Sequence, residues 1–239
     1  MGALGAAAAG LSLACGLPLL DWALLDAAEE ESPLVPDLVP SQKTKYYLKE
    51  DRYLSWLRIS YEARNKFGGR VLHFGGHWFS PRKKTTAWSY ADKTSHRPTE
   101  PWFTVRYSGL PFFSHTYRIY DVEDGALRYS IYRSRWGGRC RLFLFDCKPE
   151  WYIYRGWIGG EVAYYGIGED EIEEDSPHFF FYPSKAESLD EWVAFVSHQR
   201  QLEDGEDVYV VQVREGEDAA LLLAAATVID RWADLERPE

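Results

Sequence analysis

Two imidazoles four residues apart, in His73-Phe-Gly-Gly-His77, are the first residues in this chain whose type and spacing could do chemistry. Imidazole is the commonest protein ligand for transition metals. On a strand, that spacing puts both rings on one face but too far apart for a single ion unless Gly75 and Gly76 bend the chain. No third ligand is signalled nearby, so the stretch is read as structural and no metal or other cofactor is expected. His96, His115, His178 and His198 each stand alone. Gly168 to Asp175 packs six acids into eight residues. It could hold a hard cation such as Ca²⁺, but it lacks the alternating ligands and central glycine of an EF-hand loop. A solvated loop, or a contact for a basic partner, is the plainer reading.

Arg82-Lys83-Lys84, followed by Trp88 and Tyr90, mixes cations and aromatic rings as nucleic-acid binders do. Three charges are few in a chain of net charge −10, and no nucleic acid is expected. These three residues, with Arg139 and Arg141, are the candidate lipid- or phosphate-binding set. There is no nucleophile elbow, P-loop or dinucleotide fingerprint. The chemistry points away from an enzyme.

The element that organises the chain is Ala219 to Trp232, AALLLAAATVIDRW, which carries no charge as far as Ile229. Ala and Leu favour a helix, and Asp218 is placed to cap it. A helix that is apolar all round must be buried all round. Upstream lie short, aromatic, alternating segments: Val71–Phe79, Trp102–Tyr107, Thr116–Asp121, Ala126–Ser134, Arg139–Asp146, Trp151–Trp157, Glu161–Ile167, His178–Tyr182, Glu191–Ser197 and Val208–Val213. Tyr53–Tyr61 is ambiguous between helix and strand. Ser188-Leu-Asp-Glu191 imitates a capping box, but the β-formers of Trp192–Ser197 favour a strand. The predicted fold class is mainly β: a closed antiparallel barrel threaded by a buried C-terminal helix at 218–232, with an N-terminal apolar helix and a Pro-rich linker.

Charge is unevenly spread along the 239 residues. Residues 1–42 hold six acids and no base, 43–165 hold 22 bases against 11 acids, and 166–239 hold five bases against 20 acids. The plain expectation is that basic strands pair with acidic ones across the sheet; a basic face for phosphate or anionic lipid is the sharper one. Cys15, Cys140 and Cys147 make no disulfide framework, and free thiols fit a reducing, intracellular compartment.

Residues 1–28 are apolar and have no basic n-region of a secretory signal. Gly2, Ala6 and Gly10 recur every four residues and give a smooth stripe for helix packing, the candidate partner-binding set. Three readings compete here: a helix in or against a membrane, a helix docked on a partner protein, and a targeting remnant or tail. Residues 29–42, an acidic cluster with Pro33, Pro36 and Pro40, are expected to be a stiff linker. The barrel domain is placed at 43–239.

Two stretches resemble the LURP-one-related family, part of the Tubby-like and phospholipid-scramblase-like superfamily. Phe112–Gly125 continuing into Leu127–Ile131 looks like that family's strand, Asp-rich turn closed by Gly, and returning strand. Asp207–Val213 followed by Gly216–Leu223, ending near Ile229-Asp230, is similar to its last strand and central helix. The resemblance covers roughly residues 70–232 and implies a Tubby-like barrel around its C-terminal helix. Tubby proteins bind phosphoinositides through a basic patch, which no residues here match one by one. The functional expectation is a non-catalytic accessory or scaffold subunit of a membrane-associated complex, acting through protein–protein interaction. The alternative is an anionic-lipid- or phosphoinositide-binding, scramblase-like protein at a membrane surface.

Overall fold

Alternation along each strand decides the architecture. The computed structural model describes residues 32–51, 60–77, 84–90, 98–108, 116–134, 151–168, 178–200 and 207–236. Twelve antiparallel strands run in chain order: β1 (Thr44–Asp51), β2 (Ser60–Asn65), β3 (Arg70–His77), β4 (Lys84–Ser89), β5 (Glu100–Tyr107), β6 (Thr116–Asp121), β7 (Leu127–Arg133), β8 (Trp151–Arg155), β9 (Val162–Gly168), β10 (His178–Pro183), β11 (Ala194–Arg200) and β12 (Asp207–Val213). Each pairs with the next, and β1 pairs with β12 from Thr44↔Val213 to Lys49↔Val208, so the sheet closes on itself. Closure leaves no edge strand to template aggregation.

Every second residue points inward. Leu48, Tyr61, Leu72, Phe74, Phe103, Ile119, Ile131, Trp151, Ile153 and Phe181 are buried from eight different strands. They meet α1 (Ala219–Glu236), whose residues from Ala219 to Asp230 are all buried. Each large side chain so buried stabilises the fold by about 1.5–3 kcal/mol. The apolar run read as a buried helix is the axis of the barrel. At Gly166 the inner wall has no room for a side chain: an added Cβ meets the Trp151 Cβ at 2.9 Å.

Several turns follow their chemistry. Between β6 and β7, the Asp121 and Asp124 carboxylates accept from the N–H groups of Glu123 and Ala126, and Gly125 supplies φ +70°. The strand expected at 191–197 is β11, entered from a short 3₁₀ turn at Leu189–Glu191. The Ser188 hydroxyl meets the Glu191 carboxylate rather than capping a backbone N–H. β-Branched and aromatic residues outweigh the capping-box pattern there.

The Pro-rich stretch joins the barrel. Leu34 and Val35 are buried in the core, the Leu34 N–H donates to Asp218, and the Gly216 N–H donates to the Pro40 carbonyl. A truncation that spares the fold must stop before Pro33. The N-terminal apolar helix expected at 1–28, the ambiguous segment up to Ile59 and the strand expected at 139–146 lie outside the described residues.

Candidate functional site

The barrel interior is occupied by its own helix, and the polar groups there hold that helix in place. Asp218 caps α1 through Oδ1, which accepts from the Leu221 N–H at 3.0 Å, while Oδ2 accepts from the Leu34 N–H at 2.8 Å. Burial raises the Asp218 carboxyl above the ordinary carboxylate range, against the pull of the backbone N–H groups. Near the far end, Asp230 accepts hydrogen bonds from the hydroxyls of Tyr61, at 2.6 Å, and Tyr209. Glu217 accepts from the Tyr164 hydroxyl at 2.8 Å. These contacts fix the rotation and depth of α1. Among the described residues no group of three His, Cys, Asp or Glu side chains is arranged to hold a metal ion. No helix among them is long and apolar enough to cross a membrane.

On the outer wall three side-chain systems stand out. The first is a carboxylate hub on β2. Glu62 accepts from Arg64 Nε at 2.5 Å, Arg70 Nε at 2.7 Å and the Tyr90 hydroxyl at 3.1 Å. Burial pushes its carboxyl up, but the two guanidinium groups overcome that and hold it below the ordinary range. Burial, with the same carboxylate adding to it, raises the Tyr90 phenol. Because the folded state depresses this acid, its contribution is complete above the unfolded value of ~4.3 and is lost as pH falls through the folded one. Glu62→Gln is expected to lower stability by about 1 kcal/mol at neutral pH, the partly exposed setting limiting the effect. The gap to wild type, followed by urea denaturation, should close below about pH 4.

The second system is an aromatic band across β7 to β11. Tyr152 lies 6.0 Å from Tyr154 in a stacked pair and 5.5 Å edge-on from Tyr165, with Tyr132 at 6.3 Å. Farther round, Phe180 packs on Phe195 at 4.7 Å and on Trp192 at 6.4 Å. Lys43 and Arg214 approach the Trp192 ring at 4.8 and 4.5 Å. Such pairs stiffen the outer face at modest energies of about 0.5–1.5 kcal/mol each.

The third is a row of cations. The register sets Lys84 of β4 opposite Arg106 of β5, and Arg106 opposite Arg118 of β6. Basic strands were expected to face acidic ones; Lys49↔Glu62 on β1 and β2 does so, but at β4–β6 base faces base. Like charges directly opposite repel. Each arginine is braced on a ring instead: the Arg106 guanidinium carbon lies 4.5 Å from the Tyr120 centroid, and that of Arg118 lies 4.4 Å from the Trp157 centroid.

Of the candidate lipid- or phosphate-binding set, Lys84 is in this row. Arg82, Lys83, Arg139 and Arg141 lie outside the described residues, as do Gly2, Ala6 and Gly10. His73 is on β3, beside Gly75. Arg106 and Arg118 escaped sequence reasoning. The alternation in Trp102–Tyr107 and Thr116–Asp121 puts each on its strand's outer face, but nothing local sets the register that brings them together.

A closed twelve-stranded barrel around a helix, with polar clamps inside and its distinctive side chains outside, defines a class of architecture. The crystal structure of the Arabidopsis thaliana protein AT5G01750 matches it over 85% of this chain and 98% of that one, with a TM-score of 0.52 and 14% sequence identity. At that identity the likeness shows the fold alone, the architecture expected from the two resembling stretches. No protein-family model matches the chain, and no curated protein does.

Proposed function

We propose that this protein is a non-catalytic accessory or scaffold subunit of an intracellular, membrane-associated complex, working through its outer wall and held in place by its apolar N-terminal segment. The observation that carries this reading is the filled interior. Leu221, Leu222 and Leu223 occupy the position where barrel proteins of similar size hold a small ligand, and every one is fully buried. What remains available for recognition is surface.

The test is affinity purification of the full-length protein from its own cells in mild detergent, beside a form lacking residues 1–31. That deletion stops short of Leu34 and Val35, so the barrel keeps both core residues. A stoichiometric set of subunits with the full chain, lost on deletion, is the expected result. Unchanged location and associations after deletion would remove the main support for the proposal. The outward row of Lys84, Arg106 and Arg118 favours a second reading, contact with an anionic lipid surface. Vesicle binding that is indifferent to anionic lipid and to salt sinks that reading.

A further inference from the structure

Trp157, 62% exposed, and Leu189, 57% exposed, are large apolar side chains that the barrel shows to solvent instead of burying. Ile158 and Val122 are exposed as well. Successive hairpins of a closed antiparallel barrel turn at alternate ends. The β6–β7, β8–β9 and β10–β11 connections, which carry these four residues, are therefore neighbours on one rim. The turns themselves do not call for apolar residues. Gly156 and Gly159, at φ +63° and +93°, shape the β8–β9 hairpin, and the Gly160 N–H donates to the Trp157 carbonyl at 3.0 Å. In the β10–β11 connection the Glu191 carboxylate accepts from the Glu187 N–H at 3.1 Å. Neither turn uses the side chain at 157 or 189.

Trp157 is nevertheless fixed. The Gly156 N–H donates to the Arg128 carbonyl at 2.8 Å, which ties the hairpin to β7, and the Arg118 guanidinium lies over the indole ring. A tryptophan held in place beforehand loses little freedom on contact, and tryptophan is among the side chains that dominate interfaces. The surrounding charge decides what can cover it. Glu123, Asp124, Glu161, Glu187, Asp190 and Glu191 are exposed in these connections, against two exposed bases at their edges, Arg155 and Lys185. Arg155 already lies 3.9 Å from Glu161. That surplus repels an anionic bilayer. A second copy docking by two-fold symmetry would set the same acids face to face. A cationic partner is drawn in, and its apolar residues then meet the tips.

We propose that this rim docks a cationic amphipathic helix of a partner protein, with Trp157, on the middle hairpin, as the anchor. Adjacent hairpins lie two strand spacings apart, so the three span about 20 Å. A helix of roughly 14 residues has that length. Its apolar stripe covers Val122, Trp157, Ile158 and Leu189, while flanking lysines or arginines face the acids. The site rests on the scaffold reading and gives it a surface and a partner chemistry. A peptide test needs no other subunit, so its failure leaves the outcome of the affinity purification standing.

A fluorescently labelled peptide of about 14 residues, with Leu and Lys in amphipathic helical order, is titrated with the full-length protein and followed by anisotropy. Binding is expected, weaker by about tenfold or more for Trp157→Ala and for Leu189→Ser, and weaker for wild type at high salt. Phe67→Ala removes an exposed ring from the β2–β3 turn, six strands round the same end, and should change nothing. Glu187→Lys combined with Asp190→Lys should weaken the Leu/Lys peptide and admit a Leu/Glu peptide of the same order, an exchange that damage to the fold cannot produce. If Trp157→Ala unfolds through loss of its Arg118 contact, Leu189→Ser and the charge reversal carry the test. Equal affinity for wild type and these variants overturns the proposal. So does a Leu/Glu peptide that binds wild type as well as the Leu/Lys one, or no binding of either. Binding to phosphatidylcholine vesicles that Trp157→Ala abolishes overturns it in favour of lipid, and a dimer that this variant dissociates overturns it in favour of a second copy.

Discussion

Leu222→Asp leaves no soluble, folded protein. Leu222 is fully buried, and so are its helix neighbours from Ala219 to Ala225. The nearest polar anchors, at Asp218 and Asp230, are already engaged with Leu34, Leu221, Tyr61 and Tyr209. An ionised carboxylate at 222 has no partner, and burying one unpaired costs more than the ~5–15 kcal/mol by which a domain is stable. Expression in the soluble fraction and far-ultraviolet circular dichroism read the outcome. Leu222→Met, which keeps volume and apolarity, is the control and should fold with a loss under about 1.5 kcal/mol. A cooperative melt for the aspartate variant would mean that α1 is not the core of the barrel.

Gly166→Ala costs about 3 kcal/mol or more, although it adds one methyl group. Gly166 pairs with Trp151 on one side and Phe181 on the other, both fully buried. Its added Cβ would lie 2.9 Å from the Trp151 Cβ and 3.4 Å from the Phe181 ring. The first neighbour is attached to backbone and cannot swing away, so the ladder itself has to move, at the upper end of what overpacking costs. The origin of the clash gives a sharp control. Trp151→Ala keeps a Cβ in the same place, so it cannot relieve the contact and adds a cavity besides. Urea denaturation of the single and double variants should show losses that accumulate without rescue; recovery in the double variant would place the conflict in the indole ring instead.

Much of the fold was legible because it depends on local signals. Eleven residues with no charge and only one hydroxyl from Ala219 to Ile229 can only be interior, and the alternation of Leu127, Tyr129 and Ile131 can only be a half-buried strand. The Asp121–Gly125 turn and the hairpin between Trp151 and Ile167 announce themselves by turn residues. The site was legible only in part. A charged run at 82–84 and an alternating pair at 139 and 141 catch the eye, whereas Arg106 and Arg118 each sit singly between aromatic neighbours. Their meaning comes from β5 and β6 pairing so that 106 faces 118, which no reading of one strand can show. The Pro-rich stretch misled for a related reason. Prolines 33, 36 and 40 stiffen it, but Leu34 and Val35 between them bury themselves against the barrel.

The order in which the ribosome delivers these elements has a cost of its own. The staves of the barrel emerge first, and the helix that fills them emerges only after the strand that closes the ring. Until the chain through Asp230 is free, Phe74, Phe103, Trp151 and Phe181 have nothing to pack against, and β1 waits for β12 across almost the whole domain. Folding dominated by such distant pairings is slow, and an unfilled sheet with open edges is adhesive while it waits. Nascent copies of this protein should therefore be held by chaperones throughout synthesis and mature in one late, concerted step, so that chains halted before Ala219 are cleared rather than stored as partial barrels.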